Sequence, residues 1–300
     1  MKKFSDLKPE DSRAIEFLQD PDYIPALRSQ EALFTFEDSR MNHSEFSDFG
    51  GILTADNTLY FASARDESKK KYGWNNQPFL NVYAATYVSD ENKFKDIKPV
   101  DELNTKHHDG PTTVTADGQT MFFATESFRS GDFKRDKRNR LKKGKVSVYR
   151  AKYNGKKWTK MEPVPFNSTE YMVSNPAVTP DGTMLYFASD MPGGHGGVDI
   201  WYSELQSDGS WGAPQNAGNV VNTAGDEMFP SIHKGTLYYS SNGHVGMGGL
   251  DIFKAMGERS NFSKAINLGY PLNSASDDFA FVVSSEDENQ TLGYLTSNRS

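Results

Sequence analysis

Four carboxylates stand at matching places in this chain: Asp48, Asp109, Glu227 (beside Asp226) and Asp278 (beside Asp277). Carboxylates held at a set separation can split glycosidic bonds, one as acid and the other as base or nucleophile. A ring of them can also hold a cation or a basic peptide end. A plainer expectation competes and is preferred: short acids at loop starts accept backbone N–H bonds and lock loops. Asp199 and Asp251 read as structural for the same reason, and Ser174 stands where one more rim acid is expected.

The second feature is charge. Residues 129–145 hold nine cations (Arg129, Lys134, Arg135, Lys137, Arg138, Arg140, Lys142, Lys143, Lys145) against Asp132 and Asp136, a net of +7. The whole chain is −7, so the remainder is −14. Such an asymmetry suits docking to an anionic partner: an acidic protein face, lipopolysaccharide or a phosphate-rich surface. Taken alone, a like-charge run is more often a solvated, mobile loop. Aromatics are not interleaved with these cations, so nucleic acid is not expected. Trp74 lies in a corresponding loop, 65–78, as an exposed partner anchor or as a ring folded back on its own loop.

Two glycine loops, 193–197 and 246–249, lack the Lys-Ser/Thr and the helix of a phosphate-binding loop, so they read as wide turns. His195 and His244 fall on these loops and join the partner-contact candidates. The chain has six histidines and no cysteine, and no histidine spacing recurs as metal ligands would. Neither a metal nor another cofactor is expected.

The elements that position these residues repeat. Thr54-Ala55-Asp56-Asn57, Thr115-Ala116-Asp117-Gly118 and Thr179-Pro180-Asp181-Gly182 each precede an aromatic pair, and Lys234-Gly235 precedes a fourth. The pairs begin at 60, 122, 186 and 238. Asp-Gly between β-rich runs marks a hairpin. Third strands begin Asn81-Val82-Tyr83, Ser147-Val148-Tyr149, Asp199-Ile200-Trp201 and Asp251-Ile252-Phe253. Fourth strands close on Asn104, Asn167, Asn222 and Asn273. Four short strands in tandem units predict an all-β fold, a β-propeller of four-stranded antiparallel blades. Five blades are expected, with six as the alternative. The last is incomplete and is closed by an N-terminal strand at residues 32–36, across from 291–298. Residues 1–30 form an extension with a short helix over 9–18, and 31–300 the propeller. The helix either packs on the propeller or ends an upstream helical domain. No apolar run approaches the roughly 20 residues of a spanning helix, so no transmembrane segment is expected, and Met1–Asp6 is followed by no signal-peptide core.

Asn175–Gly182 with Leu185–Asp190 and Gly193–Trp201 resembles the WD40-like, TolB-like propeller repeat. Asn222-Thr223, Asp226–Pro230, Ser240–His244 and Gly248–Phe253, with Gly293–Arg299, resemble more closely the propeller of Bacteroidetes OmpA-family lipoproteins linked to gliding motility and type IX secretion. The likeness runs over 31–300, and the first two blades depart from it in lacking the Gly-Gly-x-Gly-Gly loop. It implies a periplasmic protein tethered to the outer membrane and paired with an outer-membrane β-barrel partner. It also implies a peptidoglycan-binding domain, which is not among these residues, so peptidoglycan would be met only through that domain. The reading is a non-catalytic scaffold that docks a partner of an outer-membrane complex. The alternative is a glycosidase-like propeller enzyme using the four rim acids. Ser207–Trp211 echoes the sialidase Asp-box but occurs once.

Overall fold

The Thr-x-Asp-Gly stretches close hairpins by a small hydrogen-bond set. Thr54, Thr115 and Thr179 donate Oγ1–H to Asp56, Asp117 and Asp181 at 2.5, 2.5 and 2.6 Å. The same carboxylates accept the N–H of Thr58, Gln119 and Thr183. Asn57, Gly118 and Gly182 take the left-handed conformation that such turns need.

In the computed structural model, which describes residues 2–29, 34–39, 41, 45–67, 70–73, 75–136, 141–286 and 291–299, these hairpins build antiparallel sheets. Blade one is β1 (Asp48–Leu53), β2 (Thr58–Ser63), β3 (Asn81–Val88) and β4 (Lys93–Pro99). Blade two is β5 (Asp109–Val114), β6 (Thr120–Glu126), β9 (Val146–Tyr153) and β10 (Trp158–Pro163). A separate hairpin, β7 (Lys134–Asp136) and β8 (Leu141–Lys143), interrupts it. Blade three is β11 (Ser174–Val178), β12 (Met184–Ser189), β13 (Asp199–Glu204) and β14 (Gln215–Asn216). Blade four is β15 (Glu227–His233), β16 (Thr236–Ser241) and β17 (Asp251–Glu258), with an outer strand split into β18 (Asn261–Phe262) and β19 (Ile266–Asn267). A two-stranded sheet follows, β20 (Asp278–Glu286) and β21 (Thr291–Ser297).

Four blades are therefore formed among the described residues, not the expected five, and a two-stranded sheet lies between the fourth and the first. The inner strands follow one another around a ring, β1 beside β5, then β11, β15, β20 and β1 again. The closing strand is also corrected. Residues 34–39 form no strand, and 32 and 33 lie outside the described residues. Among the described residues no N-terminal strand pairs with the two-stranded sheet. The segment attaches by side chains instead: Phe34 packs edge-on against Phe281 at 6.4 Å, and the Arg299 guanidinium lies over Phe36 at 4.8 Å. Met41 is buried in a cluster with Leu59, Phe61 and Tyr83, against which Tyr294 packs.

The core sits between sheets rather than within one. Tyr186, Ile200 and Tyr202 of blade three pack on Leu237, Tyr239 and Phe253 of blade four, and comparable clusters join the other neighbours. Each inner strand carries a bulge at a left-handed residue: Gly50, Gly110, Asn175, Phe229 and Ala280. Phe49, Phe229 and Phe279 meet at the ring's centre, with centroids 4.9 to 6.2 Å apart.

The asparagines that end the fourth strands are brackets. Asn104, Asn167, Asn222 and Asn273 each accept the N–H of Val82, Val148, Ile200 or Ile252 through Oδ1, at 2.7 to 2.9 Å. Each returns an Nδ2–H bond to the same residue's carbonyl, at 2.8 to 3.0 Å. The side chain thereby continues the ladder of the third strand where the fourth has ended.

The N-terminal segment forms three helices, α1 (Lys2–Leu7), α2 (Ser12–Gln19) and α3 (Tyr23–Ser29), where one was expected. They lie against blade four, with a cavity of about 330 Å³ between Phe4, Arg13 and Tyr23 and the 242–249 loop.

Asn222 is buried, so Asn222→Ala strands one N–H and one carbonyl out of water. The expected loss is about 2 kcal/mol by denaturant unfolding. Asn104→Ala, at a half-buried bracket, is expected to cost less. Parent-like stability of Asn222→Ala would remove the bracket from the account.

Candidate functional site on the loop face

The rim carboxylates come together on one end of the ring, and each is already engaged. Asp109 Oδ2 accepts Thr105 N–H and Oγ1–H at 2.5 and 2.9 Å, and its Oδ1 accepts Thr125 Oγ1–H at 2.5 Å. Glu227 accepts the N–H and Oγ1–H of Thr223 at 2.8 and 2.7 Å, and the Oγ–H of Ser241 at 2.6 Å. Asp278 accepts Ser274 N–H at 2.5 Å and pairs with Arg299. Asp48 pairs with Arg65 at 2.9 Å. Burial raises the pKa of Asp109 and of Glu227 against the lowering by their hydrogen bonds.

Blade three departs from the expected Ser174. Val173, fully buried, takes the rim position there, since its N–H meets the preceding blade as those of Asp109, Glu227 and Asp278 do. An apolar residue suffices because Phe166, Phe187 and Trp201 surround it in one cluster.

One further slot recurs without a sequence motif of fixed length. Arg65 lies over Phe61 and Tyr83 at 4.9 and 5.3 Å, and Arg129 over the matching Phe123 and Tyr149 at 5.2 and 5.7 Å. Arg129 donates to the carbonyl of Leu103, and Arg299 to the matching carbonyl of Leu272. His244 fills the slot in blade four. Its Nε2 lies 3.2 Å from the Val221 carbonyl and its ring 5.0 Å from Phe253. Arg129 and His244, expected at a partner surface, are half-buried and bolt a blade to the loop before it. Ser63-Ala64-Arg65 and Ser297-Asn298-Arg299 carried a legible signal for this slot. The longer spacings to Arg129 and His244 hid it.

The glycine loops are close-approach devices. A Cβ on Gly196 would fall 2.3 Å from the Thr223 carbonyl oxygen, and one on Gly248 1.9 Å from that of Ser276. Asp199 accepts the N–H groups of His195 and Gly196, and Asp251 those of Met247 and Gly248. Val198 and Leu250 donate N–H to Asp226 and Asp277 of the following sheet, both at 3.0 Å. His195 itself is exposed. Burial, ahead of the opposing loop N–H bonds, lifts the Asp251 pKa to about 6.

The basic segment holds the β7–β8 hairpin, an element not expected from sequence. Its root is tied to blade three by Lys134–Glu170 at 2.5 Å and Lys145–Asp190 at 3.1 Å. Arg135 and Lys142 lie over Phe133 at 5.7 and 4.4 Å. Lys137, Arg138 and Arg140, and also Trp74, lie outside the described residues. The Asp-box echo is a peripheral turn in which Ser210 donates to Asp208, and Trp211 staples onto Phe122 at 5.6 Å. Among the described residues no cluster of three His, Asp or Glu could hold a metal, and no helix is long and apolar enough to cross a membrane.

No known family description matches the chain, and no curated protein matches it. Solved structures do. The chain is similar to a protein of unknown function from Dyadobacter fermentans, at 15% identity and TM-score 0.52, over 83% of this chain and 71% of that one. It is similar to TolB from Acinetobacter baumannii at 12% identity and TM-score 0.46, over 85% and 52% of the two chains. It is also similar to an exo-β-1,3-galactanase from Clostridium thermocellum at 14% and 0.46, over 84% and 54%. The chain thus spans about half the length of the last two. At these identities the likeness concerns the fold alone.

Gly248→Ala is expected to cost several kcal/mol in denaturant unfolding, because backbone rather than a flexible side chain must yield. Gly73→Ala, with open space around it, is expected to be neutral. Similar costs for the two would refute the close-approach role.

Asp251 titrates near 6 when folded and near 3.8 when unfolded, so its full stability contribution is present below about 3.8 and is lost as pH rises through about 6. Asp109 and Glu227 act in the same direction. Stability measured against pH should therefore fall less steeply between about 4 and 6 in Asp251→Asn than in the parent. An unchanged slope would rule out this titration.

Proposed function

We propose that the chain is a non-catalytic binding scaffold of the periplasm, associated with the outer membrane, whose loop face docks an acidic partner protein of the envelope. The observation that carries this reading is the engagement of every rim carboxylate by loop N–H groups, hydroxyls or arginines. A glycosidase needs one such group free to give a proton and another free to attack or take one. Here the acids fasten the entering loop or the residues after the second strand onto their own inner strand, and the glycine loops join consecutive sheets. Recognition then falls to the parts of that face that vary between blades, and the β7–β8 hairpin is the most distinct of them. A rigid ring presenting one variable, charged loop suits a docking role. The resemblance of residues 31–300 to outer-membrane lipoprotein propellers supports both the periplasm and an outer-membrane β-barrel as the kind of partner. The long-range attraction between a +7 segment and an acidic face speeds encounter and weakens with salt.

Reversing the described hairpin charges (Lys134, Arg135, Lys142 and Lys143, each to Glu) is expected to abolish recovery of acidic envelope proteins in a low-salt pull-down. Recovery by the parent should decline as salt rises. Unchanged recovery by the variant would remove the hairpin from the docking surface. Turnover of a glycan that is lost in Asp109→Asn or Glu227→Gln would overturn the non-catalytic reading.

A further inference from the structure

We propose that the groove between blades two and three, at the turn end of the ring, binds one neutral pyranose unit of a glycan. Inner strands run from the rim to that end, as β5 does from Asp109 to Val114. The turns of the two blades touch there, where Ala116 donates its N–H to the Pro180 carbonyl at 3.1 Å. Beside that contact lies a cavity of about 450 Å³, lined by Phe122 and Trp211 and by the polar side chains of Asp117, Arg150, Lys152 and Asp181. Small-ligand clefts commonly measure about 300 to 1,000 Å³.

The neighbouring junctions are closed where this one is open. At each of three, the first ring of a second-strand aromatic pair meets the ring beside the next blade's fourth strand: Tyr60 with Trp158 at 6.0 Å, Phe122 with Trp211 at 5.6 Å and Tyr186 with Phe262 at 6.4 Å. Trp158 and Phe262 are buried, whereas Trp211 is half-buried. A tyrosine hydroxyl bridges the first junction, accepting Trp158 Nε1–H at 3.3 Å. Another bridges the third: Tyr186 accepts Arg259 N–H at 2.7 Å, and Arg259 pairs with Glu204 across the junction at 2.7 Å. Phe122 has no hydroxyl with which to do this. The third strand differs as well, since Arg150 and Lys152 stand opposite Phe122 and Thr120 where Ala84 and Thr86 stand opposite Tyr60 and Thr58. Arg150 pairs with Glu162 of its own blade at 2.6 Å, Lys152 donates to Thr120 at 2.7 Å, and among the described residues neither is ion-paired across the junction.

The lining sets the ligand's chemistry. Arg150 and Lys152 can only donate, whereas the carboxylates of Asp117 and Asp181, exposed at the turn tips, accept. A simple anion in the groove meets two carboxylates, and a simple cation meets a guanidinium and an ammonium. Sugar hydroxyls both donate and accept, so one pyranose serves both sets. Its C–H face suits the apolar surface of Phe122 and Trp211, as in ligand sites that combine an apolar lining with a few convergent polar groups. Binding of this kind needs no free acid and base. The groove lies at the end of the ring away from the basic hairpin and stands whether or not that hairpin docks a partner.

The test is an NMR titration of the isotope-labelled 300-residue chain, reading the Trp211 indole N–H among its 4 tryptophans, with the signal assigned through Trp211→Phe. The probes are cellotetraose and maltotetraose as neutral glycans and tetragalacturonate as an acidic one. A saturable shift of that signal by at least one neutral probe is expected, with a midpoint of roughly 1 mM. Arg150→Ala and Lys152→Met borrow the side chains that Ala84 and Met256 carry at the same strand positions, so the fold should persist. Each is expected to raise the midpoint at least about tenfold. Absence of a shift with either neutral probe up to about 20 mM, an unchanged midpoint in both variants, or saturation by tetragalacturonate alone would each overturn the proposal.

Discussion

A blade of four short strands has two faces and no thickness of its own, so its apolar side chains are buried only by the next blade. That constraint governs the whole molecule. Tyr186 and Tyr239 are almost wholly buried because sheets three and four face each other, and the same holds around the ring. Burial of one such ring contributes about 2 to 3 kcal/mol, but only while the sheets keep their spacing. Polar bonds between consecutive sheets set that spacing. The first N–H of an inner strand meets a carbonyl of the preceding sheet, and the asparagine before it brackets that sheet's third strand.

The chemistry of the rim follows from this. Burying a carboxylate is costly unless its oxygens are bonded, and at Asp109, Glu227 and Asp278 the residue four earlier donates its loop N–H, joined by its hydroxyl at the first two. These acids therefore act as joints between loop and strand. Where Val173 replaces the acid, apolar packing makes the joint instead. Arg65, Arg129, His244 and Arg299 show the same economy of position with different chemistry, each lying over the aromatic pair or reaching a carbonyl of the preceding loop. Residue type alone does not separate such a bolt from a docking contact.

The junction between the last sheet and the first is built differently from the others. Phe34, Phe36 and Met41 approach it as side chains from a segment without strand pairing, so hydrophobic contact replaces the ladder there. The helices α1–α3 lie on the adjoining part of the loop face, against the glycine loop of blade four. The basic hairpin stands away from both, fastened to blade three at its root.

The repeat was fully legible from residues 54–63, 115–125, 179–189 and 234–242, because turn chemistry and strand alternation are local and need no knowledge of partners. The all-β propeller, the hairpin turns, the third-strand triplets and the closing asparagines follow from it. The preference for Asp109, Glu227 and Asp278 as loop-locking acceptors was legible for the same reason, whereas the pairing of Asp48 with Arg65 was not. What the tertiary structure decided lies at the junctions. Among the described residues it set the count of four blades with a two-stranded sheet, the side-chain attachment of Phe34, Phe36 and Met41, the bolting contacts of Arg129 and His244, and the place of Val173. Each of these depends on which sheet a residue faces, and that is a property of the closed ring rather than of any stretch of chain.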